Sequence, residues 1–200
     1  MSTQLIDRIV ADEQTIGDLS SNSFTPTYFE FLRYFSDLTQ ITPHHVVISA
    51  HFTYGWMPRM LSLKSTNFDD AATILNDVKQ SIPITDEQLS QLIRLINNSI
   101  VGVSKLLHFV NPNQYAIWDS RVAGYLYHKL PYAQLRRPET YRTYLQTCYD
   151  LIQEEAFKSV HKSINKKMGQ DVSALRAVEL VMFNGRSKPG ENTQLKTRFS

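Results

Sequence analysis

One short stretch of this chain holds the two side chains best suited to covalent chemistry. Lys105 opens Lys105-Leu106-Leu107-His108-Phe109, and Asn111-Pro112-Asn113-Gln114-Tyr115-Ala116-Ile117-Trp118 then leads to Asp119. A lysine amine can attack an electrophilic carbon and pass through a Schiff base. A carboxylate beside it can stabilise positive charge that develops in a transition state. Ahead of the lysine, Ile100-Val101-Gly102-Val103-Ser104 reads as a short hairpin opening a helix, with Lys105 in the first turn. In that setting the helix dipole and desolvation would favour the neutral amine.

The hairpin offers a second chemistry. Backbone N–H groups of Gly102, Val103 and Ser104 at a helix start would cradle a phosphate without reading sequence, and Gly102 would permit a close approach. Arg121, Lys129, Arg136, Arg137 and Arg142 follow and could neutralise neighbouring phosphates. Phe52, Tyr54 and Trp56 cluster in one stretch, and Trp118 directly precedes Asp119. Aromatic faces of this kind can stack on a planar ring of a ligand. Each residue also has a plainer reading. A helix-start lysine is usually a solvated one, tryptophans are more often core residues, and Asp119 is at least an N-cap.

The elements that must position these groups are helical. Tyr28, Phe31, Leu32, Phe35 and Leu38 keep one helical face, as do Leu89, Leu92, Ile93 and Ile96, and Tyr141, Tyr144, Leu145, Cys148, Leu151 and Ile152. Thr25-Pro26, Thr42-Pro43 and Arg137-Pro138 place proline at a helix start, and Thr85 to Gln88 is a capping box. Asp119 and Asp171 read as further N-caps, and Gly185 closes the last helix. These signals predict helices over 3–17, 26–39, 43–53, 69–81, 86–97, 103–110, 119–130, 138–156, 158–168 and 172–184. The run from Val46 to Trp56 suits a buried helix or a strand. No strand, glycine loop and helix follow one another as a nucleotide-binding unit would require.

Composition bounds the rest. Two hundred residues with 42% hydrophobic content suit one domain over 1–185, divisible into two lobes with the hairpin in a lobe over about 86–185. The polar 186–200 reads as a frayed tail. The single cysteine, Cys148, leaves no internal disulfide or cysteine-based metal cluster within the chain. His44, His45 and His51 lack the spacing of a metal motif, so neither a metal nor a cofactor is expected. No signal peptide or bilayer-length apolar run is visible, which predicts a cytoplasmic monomer away from membranes. Residues 1–104 carry 6 Lys/Arg against 11 Asp/Glu, and residues 105–200 carry 15 against 8. That asymmetry fits a polyanionic partner meeting the C-terminal half.

From Leu89 to Tyr127 the chain resembles the helix-hairpin-helix DNA glycosylase superfamily, in particular its 8-oxoguanine-glycosylase-like members. The residues that carry the likeness are the helix over 86–97, the hairpin at Gly102-Val103-Ser104, Lys105, and the Ile117-Trp118-Asp119 turn. The hairpin's second glycine is Ser104 here, the Lys105–Asp119 separation is short for the family, and the iron–sulfur cysteines are absent. The resemblance implies an all-α bundle of two lobes around a cleft, with Lys105 and Asp119 as the catalytic pair. It implies double-stranded DNA carrying a modified base as partner, in base-excision repair or in defence against modified phage DNA. A strand-cleaving lyase step could follow excision. The other readings are a non-catalytic DNA-binding module of the same fold and a helical protein-interaction domain.

Overall fold

Capping decides where many of the helices begin. A computed structural model describes residues 2–56, 61, 63, 67–127 and 130–185, and among these the fold is all-helical. Its helices are α1 (Ser2–Glu13), α2 (Phe24–Asp37), α3 (Pro43–Gly55), α4 (Phe68–Lys79), α5 (Asp86–Leu95), α6 (Ile100–Val110), α7 (Ser120–Tyr127), α8 (Tyr132–Leu135), α9 (Pro138–Gln153), α10 (Phe157–Met168) and α11 (Ala174–Asn184). The expected tail over 186–200 and Lys129 lie outside the described residues.

The Thr85 hydroxyl accepts the Gln88 N–H and the Gln88 side chain returns to Thr85, as a capping box requires. Thr42 and His45 form the same reciprocal arrangement at α3, with Pro43 at its first position. Other starts differ from expectation. Ser173, rather than Asp171, caps α11 by accepting the Arg176 N–H at 3.1 Å. The ambiguous run from Val46 is helical, inside α3.

The hairpin is displaced. Asn97 and Asn98 take left-handed φ angles of 57° and 50°, and Ser99 then caps α6 by accepting the Gly102 N–H. Asparagine tolerates that region better than other non-glycine residues, so the turn sits on Asn-Asn and not on the glycine. Consequently α6 starts at Ile100, and Lys105 stands in its second turn. The helix dipole fades within the first turn and therefore does not shape the lysine's surroundings.

One continuous apolar cluster runs from Ile6 to Met182. Within it α6 is the hub of one group, packed against α2, α3, α4 and α5. Helix α11 is the hub of the other, packed against α1, α7, α9 and α10. In this grouping α1 packs with the C-terminal helices, while α5 and α6 pack with the N-terminal ones. Arg8 helps hold α1 there, donating to the Tyr125 carbonyl at 2.8 Å with its guanidinium 3.6 Å from that ring's centroid.

Candidate functional site

Between α6 and α7 residues 115–118 are buried but irregular, so their backbone polar groups need partners from elsewhere. Side chains supply them for consecutive carbonyls. Tyr149 donates to Gln114 O, His108 Nδ1 to Tyr115 O at 2.7 Å, and Tyr141 to Ala116 O at 3.2 Å. Tyr144 donates to Ile117 O at 2.8 Å, and the Ser104 hydroxyl, which donates to Val101 O at 2.9 Å, also lies 3.3 Å from Trp118 O. Ser104 also accepts the Trp118 N–H at 3.1 Å. Because Ser104 precedes Lys105 and Trp118 precedes Asp119, this one hydroxyl ties the two candidate residues' backbones together.

His108 completes the frame. With Nδ1–H given to Tyr115 O, its Nε2 is left to accept the Tyr28 hydroxyl at 3.0 Å. Burial, aided by the nearby Arg176 guanidinium, depresses the imidazole to about 3, so it stays neutral. It is a structural histidine.

Asp119 caps α7, its Oδ1 accepting the N–H groups of Arg121 at 2.8 Å and Val122 at 3.2 Å. It also lines a cavity of about 260 Å³ together with Lys105, so the pair faces one space. Phe24, Tyr28, Trp56 and Phe183 supply aromatic wall. The Lys105 Nζ lies 5.5 Å from the Trp56 ring centroid, within the range of a cation–π contact. The volume is several-fold that of one water, about 30 Å³, and just below the 300–1,000 Å³ usual for drug-sized ligands. That suits a single heterocycle.

The remaining candidate residues separate from the cavity. Trp118 is fully buried, donates its Nε1–H to Leu135 O at 2.9 Å and packs 4.8 Å from the Tyr144 ring. It is core and cannot present a face to a base. Tyr54 is also buried and lies over Gly102, where a Cβ would meet its ring at 2.7 Å. The glycine thus admits a neighbouring helix and not a DNA backbone. Phe52 stacks on Phe31 at 4.3 Å, behind the cavity wall. Of the four expected pocket aromatics, only Trp56 lines the space.

The phosphate cradle is corrected in the same way. Gly102 N–H goes to the Ser99 hydroxyl, Val103 N–H to Ser99 O, and Val103 and Ser104 are fully buried. These groups are spent inside the protein. Arg121 is exposed, its guanidinium 4.3 Å from the ring of Phe183, which lines the cavity. Arg136 and Arg137 are exposed, with Arg136 donating to Asn98 O in the turn before α6. Arg142 is engaged with Asp86 and with Ile84 O.

Two charged residues line the cavity where the sequence analysis assigned nothing. Arg176 and Glu179 line the same cavity, ion-paired within α11 and 8% and 1% exposed. The Arg176 guanidinium also sits 4.6 Å from the Tyr28 ring centroid and 5.8 Å from that of Trp56. Its Nε–H and the Trp56 Nε1–H are buried without a hydrogen-bond partner among the described residues, which is uncommon for such groups. Burial raises the Glu179 carboxyl to about 7. Arg176 pulls it down, Asp119 pushes it up, and Lys105 lowers it again. A signal existed: Leu175, Ala177, Val178, Leu180, Val181 and Met182 surround Arg176 and Glu179 with apolar side chains, and a helix of that kind is buried with its charges.

Among the described residues no group of metal-ligating side chains occurs, and no helix is long and apolar enough to cross a membrane. Comparison with protein-family models, curated proteins and solved structures finds no match for this chain.

Proposed function

We propose that this protein is a DNA glycosylase that draws a modified base out of the duplex into the cavity beside Lys105 and Asp119. The observation that carries this reading is the convergence of those two side chains on one aromatic-walled space. A flipped base would rest against Trp56 and Phe24, as enzymes acting on extruded bases require. As the bond from base to sugar breaks, positive charge builds on the sugar, and the Asp119 carboxylate is the anion beside it. The Lys105 amine attacks the sugar C1′, forming a C–N bond as the C1′–base bond breaks. Loss of a proton from that nitrogen and opening of the C1′–O4′ bond then give the Schiff base, from which elimination of the 3′-phosphate cleaves the strand. The exposed Arg121, Arg136 and Arg137 are the cations offered to phosphates, a contact that weakens with salt.

The test is a strand-scission and abasic-site assay over duplexes with modified bases and over phage genomes, with borohydride trapping. Wild type should excise a base and form a trapped adduct. Lys105→Ala should lose the adduct, and Asp119→Asn should lose excision. Excision that survives Lys105→Ala but not Asp119→Asn would make water the nucleophile. Salt-dependent duplex binding without excision on any substrate would replace the enzyme with a non-catalytic binding module. Absence of both would leave the interaction-domain reading.

A further inference from the structure

Within the glycosylase reading, on which this inference rests, the charged wall formed by α11 has no assigned task. Arg176, Glu179, Leu180 and Phe183 recur at helical spacing and all line the cavity. Glu179 is almost completely enclosed, yet it shares that space with the proposed nucleophile. A buried ion pair is a poor source of stability, since apolar residues of similar volume often serve as well or better. Its position at the reacting space, and not its contribution to the core, is therefore the feature to explain.

We propose that Glu179 is the acid–base group of this site, carrying the proton released by Lys105 to the departing base. The step balances. The Lys105 nitrogen bonds to the sugar C1′, the C1′–base bond breaks, and its electron pair leaves on the base nitrogen. The proton lost by the lysine nitrogen passes to the Glu179 carboxylate and from there to that base nitrogen. Arg176 is the positioning residue that holds the carboxylate. A proton carrier works best when its affinity lies near the working pH, and enclosure places Glu179 there, at about 7.

The groups around the carboxyl are consistent with this role. Arg176 on its own helix and Lys105 on α6 favour its charged form, while Asp119 ahead of α7 disfavours it. Tyr144 and Cys148 on α9 and Tyr28 on α2 also interact with it electrostatically. Burial holds all three above their ordinary values, so they remain neutral near pH 7.

Single-turnover excision and borohydride trapping against pH test the proposal, using the modified-base duplex on which wild type is active. Wild type should show an inflection near pH 7. Glu179→Gln should slow both readouts by about 10²–10⁴-fold and remove the inflection, with duplex affinity unchanged. Activity with the inflection intact in Glu179→Gln overturns this role and leaves the glycosylase reading standing. A wild type inert on every substrate overturns both. Circular dichroism checks folding, and the neutral pair Arg176→Gln/Glu179→Gln replaces the single variant if it does not fold. The infrared absorbance of a protonated carboxyl supplies a readout that needs no substrate. It should titrate near pH 7 in wild type and vanish in the variant; its absence from wild type overturns the proposal.

Discussion

The segment that delivers Asp119 and the helix that delivers Glu179 place carboxyl groups at one cavity by opposite means. Residues 114–118 have irregular backbone, and their carbonyls are held by side chains from α6 and α9. Helix α11 satisfies its own backbone, pairs Arg176 with Glu179 within itself and spends its tertiary interactions on packing. The first arrangement spreads the cost of position over many neutral hydrogen bonds. The second concentrates it in one buried ion pair. A polar segment framed this way fails gradually, whereas a buried charge that loses its partner fails at once.

The largest expected effect breaks the helical side of that comparison. Glu179→Ala leaves Arg176 buried without its anion and should cost about 3–5 kcal/mol in urea unfolding. A loss much below 1 kcal/mol would mean that water reaches the guanidinium. Acidity sets the two regions against each other. His108 holds Tyr115 O and is neutral when folded, with its affinity for protons depressed from 6.5 to about 3. As pH falls below 6.5 the unfolded chain takes a proton that the folded chain refuses, so this contribution to stability is lost toward pH 3. Glu179 runs the other way. Raised from 4.5 to about 7, its contribution is present below 4.5 and is lost as pH rises to about 7. Each unit is worth roughly 1.4 kcal/mol, so either group acting alone would tilt stability by a few kcal/mol. Between pH 4.5 and 6.5 the two tilts oppose. Glu179→Gln should uncover the loss on acidification, and His108→Gln the loss toward neutrality, in unfolding curves measured across that window.

Smaller effects sharpen the other side. Tyr144→Phe removes one captured carbonyl's partner and should cost about 1–3 kcal/mol. Combined with Tyr141→Phe it should deviate from additivity, because the two hydroxyls serve adjacent carbonyls. Simple addition in a double-mutant cycle would show that the segment is less cooperative than its geometry suggests. Arg136→Ala should change stability by no more than about 0.5 kcal/mol. If this arginine meets a phosphate, its loss should reduce the slope of log binding constant against log salt by about one.

Much of the frame was legible in the sequence because it is local. Thr42-Pro43 and the Thr85–Gln88 box act within one turn, and Asp119 caps α7 through N–H groups two and three residues away. The candidate site was less legible. Lys105 and Asp119 could be picked out, but Trp118 and Trp56 look alike in sequence and differ only in what surrounds them. One is enclosed and bonded to Leu135, while the other borders the cavity. The hairpin was misplaced because glycine is the default left-handed residue, while here Asn97 and Asn98 supply those angles and Gly102 makes room for Tyr54.

By itself, then, the sequence determined the helices, several of their caps and the order of a lysine and an aspartate along the chain. Helix periodicity and capping depend on neighbours a few residues apart, which a linear text contains. Tertiary structure alone decided that Lys105, Asp119, Arg176 and Glu179 line one cavity. Bringing α6 and α11 to the same cavity depends on packing between elements distant in the chain. The charge balance at Glu179 follows from the burial of that side chain, because removing water strengthens every interaction among the groups that remain.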